Sequence, residues 1–141
     1  VAQDRRHKLD RLLRVRTLQL ALVRADEART HDKLASEAAL QSRIAALTDS
    51  VAPAPTASEG LAFIAAAHFR ERLQQSAEAA QARLRVAEQQ VQQAAERTRE
   101  ARRDQNAIEK LIDRADADAA LKALRALEAA PTFRKIRHDP C

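Results

Sequence analysis

RLQQSAEAAQARLRVAEQQVQQAAERTREA, residues 72–101, runs for thirty residues without a glycine, proline, aromatic residue or histidine. Its apolar residues recur at a fixed interval. Stepping alternately by four and three from Leu73 reaches Ala77, Ala80, Leu84, Ala87, Val91, Ala94, Thr98, Ala101, Gln105, Ile108, Ile112 and Ala115, and eleven of these thirteen positions are apolar. An interval averaging 3.5 residues keeps one narrow stripe turned toward a partner helix as the two wind around each other, so the stretch reads as a coiled-coil seam. Thr98 and Gln105 are its polar interruptions.

The partner lies upstream. Leu9, Leu13, Leu20, Val23, Leu34, Ile44 and Val51 fall on a single 3.5-residue lattice whose gaps are filled by Arg16, Glu27, Thr30, Glu37, Gln41 and Thr48. Val15, Leu18 and Leu22 widen the apolar face early on, as in a helix that meets more than one neighbour. Between the two patterns stands APAPTASEG (52–60), where Pro53 and Pro55 remove backbone donors and push their predecessors out of the α region. Thr56 and Glu59 have the spacing of a capping box that opens the second helix at about Ala57. The fold expected is all-α, a long antiparallel two-helix coiled-coil hairpin with the second helix longer than the first. Its parts are a first helix over 1–51, a Pro-rich turn over 52–58, a second helix over 59–130 and a basic flexible tail over 131–141. At about 1.5 Å per residue the helices are roughly 70 Å and 110 Å long. Counting back from the turn sets Val1 beside about residue 110, which leaves IDRADADAALKALRALEAA (112–130) projecting beyond the first helix. Leu121 and Leu124 share an apolar face there with Ala117, either a fraying helix end or a contact for a second copy or another protein.

Composition points the same way. One Gly, three Phe and no Trp or Tyr leave little with which to build a sheet or a thick core, and 33 of the 141 residues are Ala, the best helix former and the one that lets two backbones approach closely. A single cysteine, Cys141, forms no internal disulfide. The opening VAQDRRHKLDRLL carries charge where a signal peptide needs an apolar run, and nowhere do eighteen apolar residues pass without charge, so a cytoplasmic protein without membrane insertion is expected.

Residues that carry chemistry are sparse. His7, His31, His68 and His138 are far apart and none has a second His at metal-site spacing. With one Gly there is no phosphate loop, and no Ser or Cys stands near a His in a nucleophile setting. The expectation is a protein that is not an enzyme and uses no cofactor or metal. Charge is more informative. Net +5 comes from 20 Arg and 5 Lys against 20 acids, and Arg5, Arg6, Lys8, Arg11, Arg14 and Arg16 are accompanied only by Asp4 and Asp10. Arg134, Lys135 and Arg137 add a second cluster in TFRKIRHDPC (132–141). Without interleaved aromatics or a motif, these clusters fit an acidic protein surface better than nucleic acid or an anionic membrane. In EGLAFIAAAHFRERL (59–73), Phe63 and Ala66 continue the seam backward, so Phe63 reads as packing at the hairpin tip. Phe69 lies beside the seam and pairs with Leu73 at i, i+4, which makes these two the candidate partner contact at that end.

A basic start KLDRLLRVRTLQLALVRADEA (8–28), a short break, and a long Ala/Gln/Glu/Arg helix closing on AIEKLIDRADADAA (107–120) resemble the FliJ/YscO family, small coiled-coil proteins of flagellar and virulence type III secretion. The EKLIDR segment, Glu109 to Arg114, is similar to a run found near the end of that family's second helix; the tail and the Pro-rich turn depart from the pattern. The resemblance implies a central stalk or adaptor, peripheral to a membrane-embedded export apparatus. Its terminal end, here Arg5 to Arg16 with Glu109, Lys110 and Arg114, would sit in the hexameric secretion ATPase and promote its assembly or turnover. Other parts would contact the export gate and export chaperones. A scaffolding coiled coil, with two hairpins pairing weakly into a four-helix bundle, is the alternative that the residues leave open.

Overall fold

In the computed structural model the described residues are 2–51 and 60–131. They form two helices, α1 (Ala2–Ser50) and α2 (Gly60–Ala129), and no strand occurs among them. Neither helix interior contains a Gly or Pro, and α2 carries its one glycine at its first position. The Pro-rich turn, the Thr56/Glu59 capping pair and the tail beyond Pro131 lie outside the described residues.

Each helix ends with a carbonyl of its last turn engaged. At the end of α1, Leu47 O accepts from the Val51 amide at 3.2 Å and from Ser50 Oγ at 2.9 Å, while Thr48 Oγ1 donates to Ile44 O at 2.9 Å. The contacts at Leu47 O occupy an acceptor that a helix C-terminus leaves without an intrahelical partner. After α2 the Ala130 amide bonds to Leu127 O at 3.2 Å, a tightened last turn, and Pro131, which cannot continue a helix, follows.

The two helices pair antiparallel as a hairpin, and the chain divides into two units. The first holds α1 up to Thr17 and α2 from Arg103. There Arg16 meets Asp104 at 2.9 Å and Arg6 meets Asp116 at 3.1 Å, so moving toward the start of α1 means moving toward the end of α2. Leu9, Leu13, Gln105, Ile108 and Ala115 are half-buried between the helices, and Ile112 is 7% exposed.

The second unit, Leu18 to Arg102, carries the alanine seam. Ala80, Ala87 and Ala94, seven residues apart, are 0%, 1% and 1% exposed, and Leu20 is the buried residue that α1 contributes. Leu73, Ala77, Leu84, Val91, Thr98 and Ala101 are half-buried on α2, as are Val23, Glu27, Thr30, Leu34, Glu37, Gln41 and Ile44 on α1. A residue as small as alanine at every second layer buries little area but brings the backbones close. Asp26 and Arg97 lie 3.8 Å apart, Lys33 Nζ donates to Gln90 Oε1 at 3.2 Å, and Arg83 meets Glu37 at 3.3 Å.

Candidate functional site: the charged end of the first unit

The basic residues of α1 fall into two groups. Arg6 and Arg16 turn toward α2 and are half-buried. Arg16 Nη1 donates to Asp104 Oδ2 at 2.9 Å, while Arg6 bridges Asp10 on its own helix at 3.6 Å and Asp116 on α2 at 3.1 Å. The Arg6 Nη1 atom is shielded from solvent and its approach to Asp116 is too oblique for a hydrogen bond, so that contact is one of charge alone. The Thr17 hydroxyl donates to Leu13 O at 2.8 Å and accepts from Gln105 Nε2 at 3.4 Å. Gln105 Nε2 also donates to Glu109 Oε1 at 3.3 Å, which ties Glu109 into this polar layer.

Arg5, Lys8, Arg11 and Arg14 form the other group. All four are exposed, and no ion pair engages them among the described residues. Helical spacing explains the division: Arg16 occupies a seam position, Arg6 lies three residues before the seam residue Leu9, and the other four fall on the flank and outer side of α1.

On α2, Lys110 and Arg114 are exposed. Arg114 borders an open groove of about 220 Å³ with Arg5, Leu9, Leu111, Ala115 and Asp118. A neighbouring groove of about 350 Å³ lies between Gln3, Arg5 and Arg6 on α1 and Ala115, Asp116, Asp118, Ala119 and Lys122 on α2. Both are shallow troughs beside the seam with mixed charge at their rims. Arg5 and Arg114 thus come to one groove; the acids that receive Arg6 and Arg16, namely Asp116 and Asp104, were not singled out by the sequence. Each stands beside the α2 seam rather than in it, a position that becomes informative only once the register is known.

That register differs from the one counted back from the turn. Counting places Arg6 opposite about residue 105, whereas it faces Asp116. The part of α2 that projects past α1 in this unit is correspondingly shorter, and Leu121, Leu124 and Leu127 lie within it at 53%, 56% and 73% exposure.

In the second unit Phe69 is 51% exposed, and Leu73 is half-buried in the seam. Phe63, expected to pack, is 61% exposed. Among the described residues there is no group of three His, Cys, Asp or Glu placed to hold a metal ion, and no helix is long and apolar enough to cross a membrane. No family model matches the chain, and neither a curated protein nor a solved structure matches it.

Proposed function

We propose that the chain is a non-enzymatic stalk or adaptor of a flagellar or type III export apparatus, one that binds and promotes the hexameric export ATPase and meets the export gate or its chaperones. The reading starts from the resemblance of residues 8–28 and 107–120 to the FliJ/YscO family. The observation that carries it furthest is the division of the basic residues. Arg6 and Arg16 fasten α1 to α2, Arg5, Lys8, Arg11 and Arg14 remain exposed on α1 with Arg5 sharing a groove with Arg114, and Lys110 is exposed on α2. Such an arrangement offers a rigid cationic surface to an acidic partner without loosening the hairpin.

The test uses a purified hexameric export ATPase of a type III apparatus. Reversing Arg5, Lys8, Arg11 and Arg14 to Glu should leave helical content intact, since exposed charge changes cost under about 0.5 kcal/mol each. Binding and stimulation of ATP hydrolysis should fall sharply. Binding by the unmodified chain should weaken steeply with salt, because exposed charges are screened beyond about 10 Å at 0.1 M. Reversal of Arg24, Arg43, Arg85 and Arg102, exposed residues of the second unit, should leave stimulation nearly intact. Equal loss in both variants, or no binding by the unmodified chain, refutes the proposal.

A scaffolding coiled coil is the second reading, favoured by the exposed Leu121, Leu124 and Leu127. On that reading sedimentation shows a dimer that Leu121→Ser with Leu124→Ser abolishes, and the ATPase is ignored.

A further inference from the structure

The least charged stretch of the chain leads into α2. From Val51 to Ala67 the residues VAPAPTASEGLAFIAAA include one charged side chain, Glu59, in a sequence that is 32% charged. Within the described part of that stretch and the turn after it, Leu61, Phe63, Ile64 and Phe69 are 84%, 61%, 65% and 51% exposed.

These four point in different directions. At about 100° per residue, and taking the half-buried Ala66 and Leu73 as the seam side, Phe63 and Phe69 flank the seam to left and right while Leu61 and Ile64 face away from it. The helix is therefore apolar all round, a pattern found where a core or a lipid phase covers every side. A protein groove takes a single stripe of a helix, at i, i+3, i+4 and i+7, and no one stripe includes all four. A fluid apolar phase meets them together.

The residues that follow suit the boundary of such a phase. His68, Arg70 and Arg72 come within the next turn and a half, with Glu71 the one acid among them, and Arg70 and Arg72 emerge on nearly opposite sides of the helix. Long cationic side chains behind an apolar end reach anionic headgroups while the apolar end enters the acyl boundary. From Gly60 to Ala67 the helix rises about 11 Å, comparable with the roughly 5–10 Å to which interfacial helices bury an apolar face and far short of a bilayer.

We propose that the N-terminal end of α2, with Leu61, Phe63, Ile64 and Phe69 as the apolar element and Arg70 and Arg72 as its cationic collar, docks onto an anionic lipid bilayer and enters its interface without crossing it. This surface belongs to the second unit and does not depend on the ATPase reading.

The experiment is flotation of the full chain with vesicles of phosphatidylcholine and phosphatidylglycerol in equal parts, and with phosphatidylcholine alone. The chain should float with the anionic vesicles and less with the neutral ones. Replacing Leu61, Phe63 and Ile64 together by Ser should lower partitioning by more than about tenfold, given what each buried apolar side chain contributes. Arg70→Gln with Arg72→Gln should remove the preference for the anionic lipid. Because the chain has no Trp, Leu61→Trp gives a reporter at the site itself, and its emission should shift to the blue on vesicle addition. No flotation of the unmodified chain, flotation undiminished by the Ser replacements, or an unshifted Trp each overturns the proposal; capture of this end by a protein while vesicles leave it in solution does the same.

Discussion

Ala87→Leu is the substitution that most directly probes how the second unit is held together. Ala87 is 1% exposed and stands midway between Ala80 and Ala94, themselves 0% and 1% exposed. If the seam had room, three added carbons at about 0.8 kcal/mol each would stabilise the hairpin by about 2.4 kcal/mol. It has none: a methyl group with almost no accessible surface is already in contact with the opposing helix. Leucine must then push the helices apart or take a poor rotamer, at a cost of about 1–3 kcal/mol, and separation also weakens the alanine layers on either side. The sign of the effect is thus opposite to the one hydrophobicity alone suggests. For a chain of this length the midpoint of thermal unfolding, followed by circular dichroism at 222 nm, should fall by roughly 3–5 °C for each kcal/mol lost. Ala79→Leu, at an exposed position on the outer side of α2, should change the stability by no more than about 0.5 kcal/mol and so barely move the midpoint. A raised midpoint for Ala87→Leu would refute the argument that close approach of the two backbones, rather than apolar area, sets this seam.

Other outcomes follow from the polar positions. Thr98 and Gln105 are half-buried in the seam, Thr98 returning its hydroxyl to Ala94 O at 3.1 Å; replacing both by Leu should stabilise the chain by roughly 1–3 kcal/mol in a urea titration, and an unchanged midpoint would show that their layers cannot accept a larger apolar side chain. The Arg16 and Asp104 side chains are 40% and 51% exposed, so Arg16→Ala should cost under about 1 kcal/mol, less still in high salt; a larger loss would mean that the contact sets the register. Breaking the Arg83–Glu37 pair by Arg83→Ala should cost more than the loss of Arg16, about 1 kcal/mol, again read by thermal melting, because Arg83 is 49% exposed but the Glu37 carboxylate it leaves behind is 20% exposed.

The two helices and their facing sides were legible in the sequence. Every α2 position from Leu73 to Ala115 on the four-and-three spacing is half-buried or buried, polar Thr98 and Gln105 included, and on α1 the lattice from Leu9 to Val51 departs only at exposed Thr48. Helix period and side-chain direction are local properties, so a stripe read from one chain segment survives folding. Register was not legible. A coiled-coil stripe repeats every seven residues, and sliding one helix past the other by a heptad restores apolar against apolar, so the pattern fits several pairings equally well. Which of them is adopted shows only in long-range contacts: in the first unit the meeting of Arg6 with Asp116 and Arg16 with Asp104, and in the second the ties of Asp26, Lys33 and Glu37 to Arg97, Gln90 and Arg83. The exposure of Phe63 belongs to the same class of fact. Its place in the helical period is fixed by residues 60–73, whereas whether anything stands opposite it depends on where the other helix stops, which only the paired helices decide.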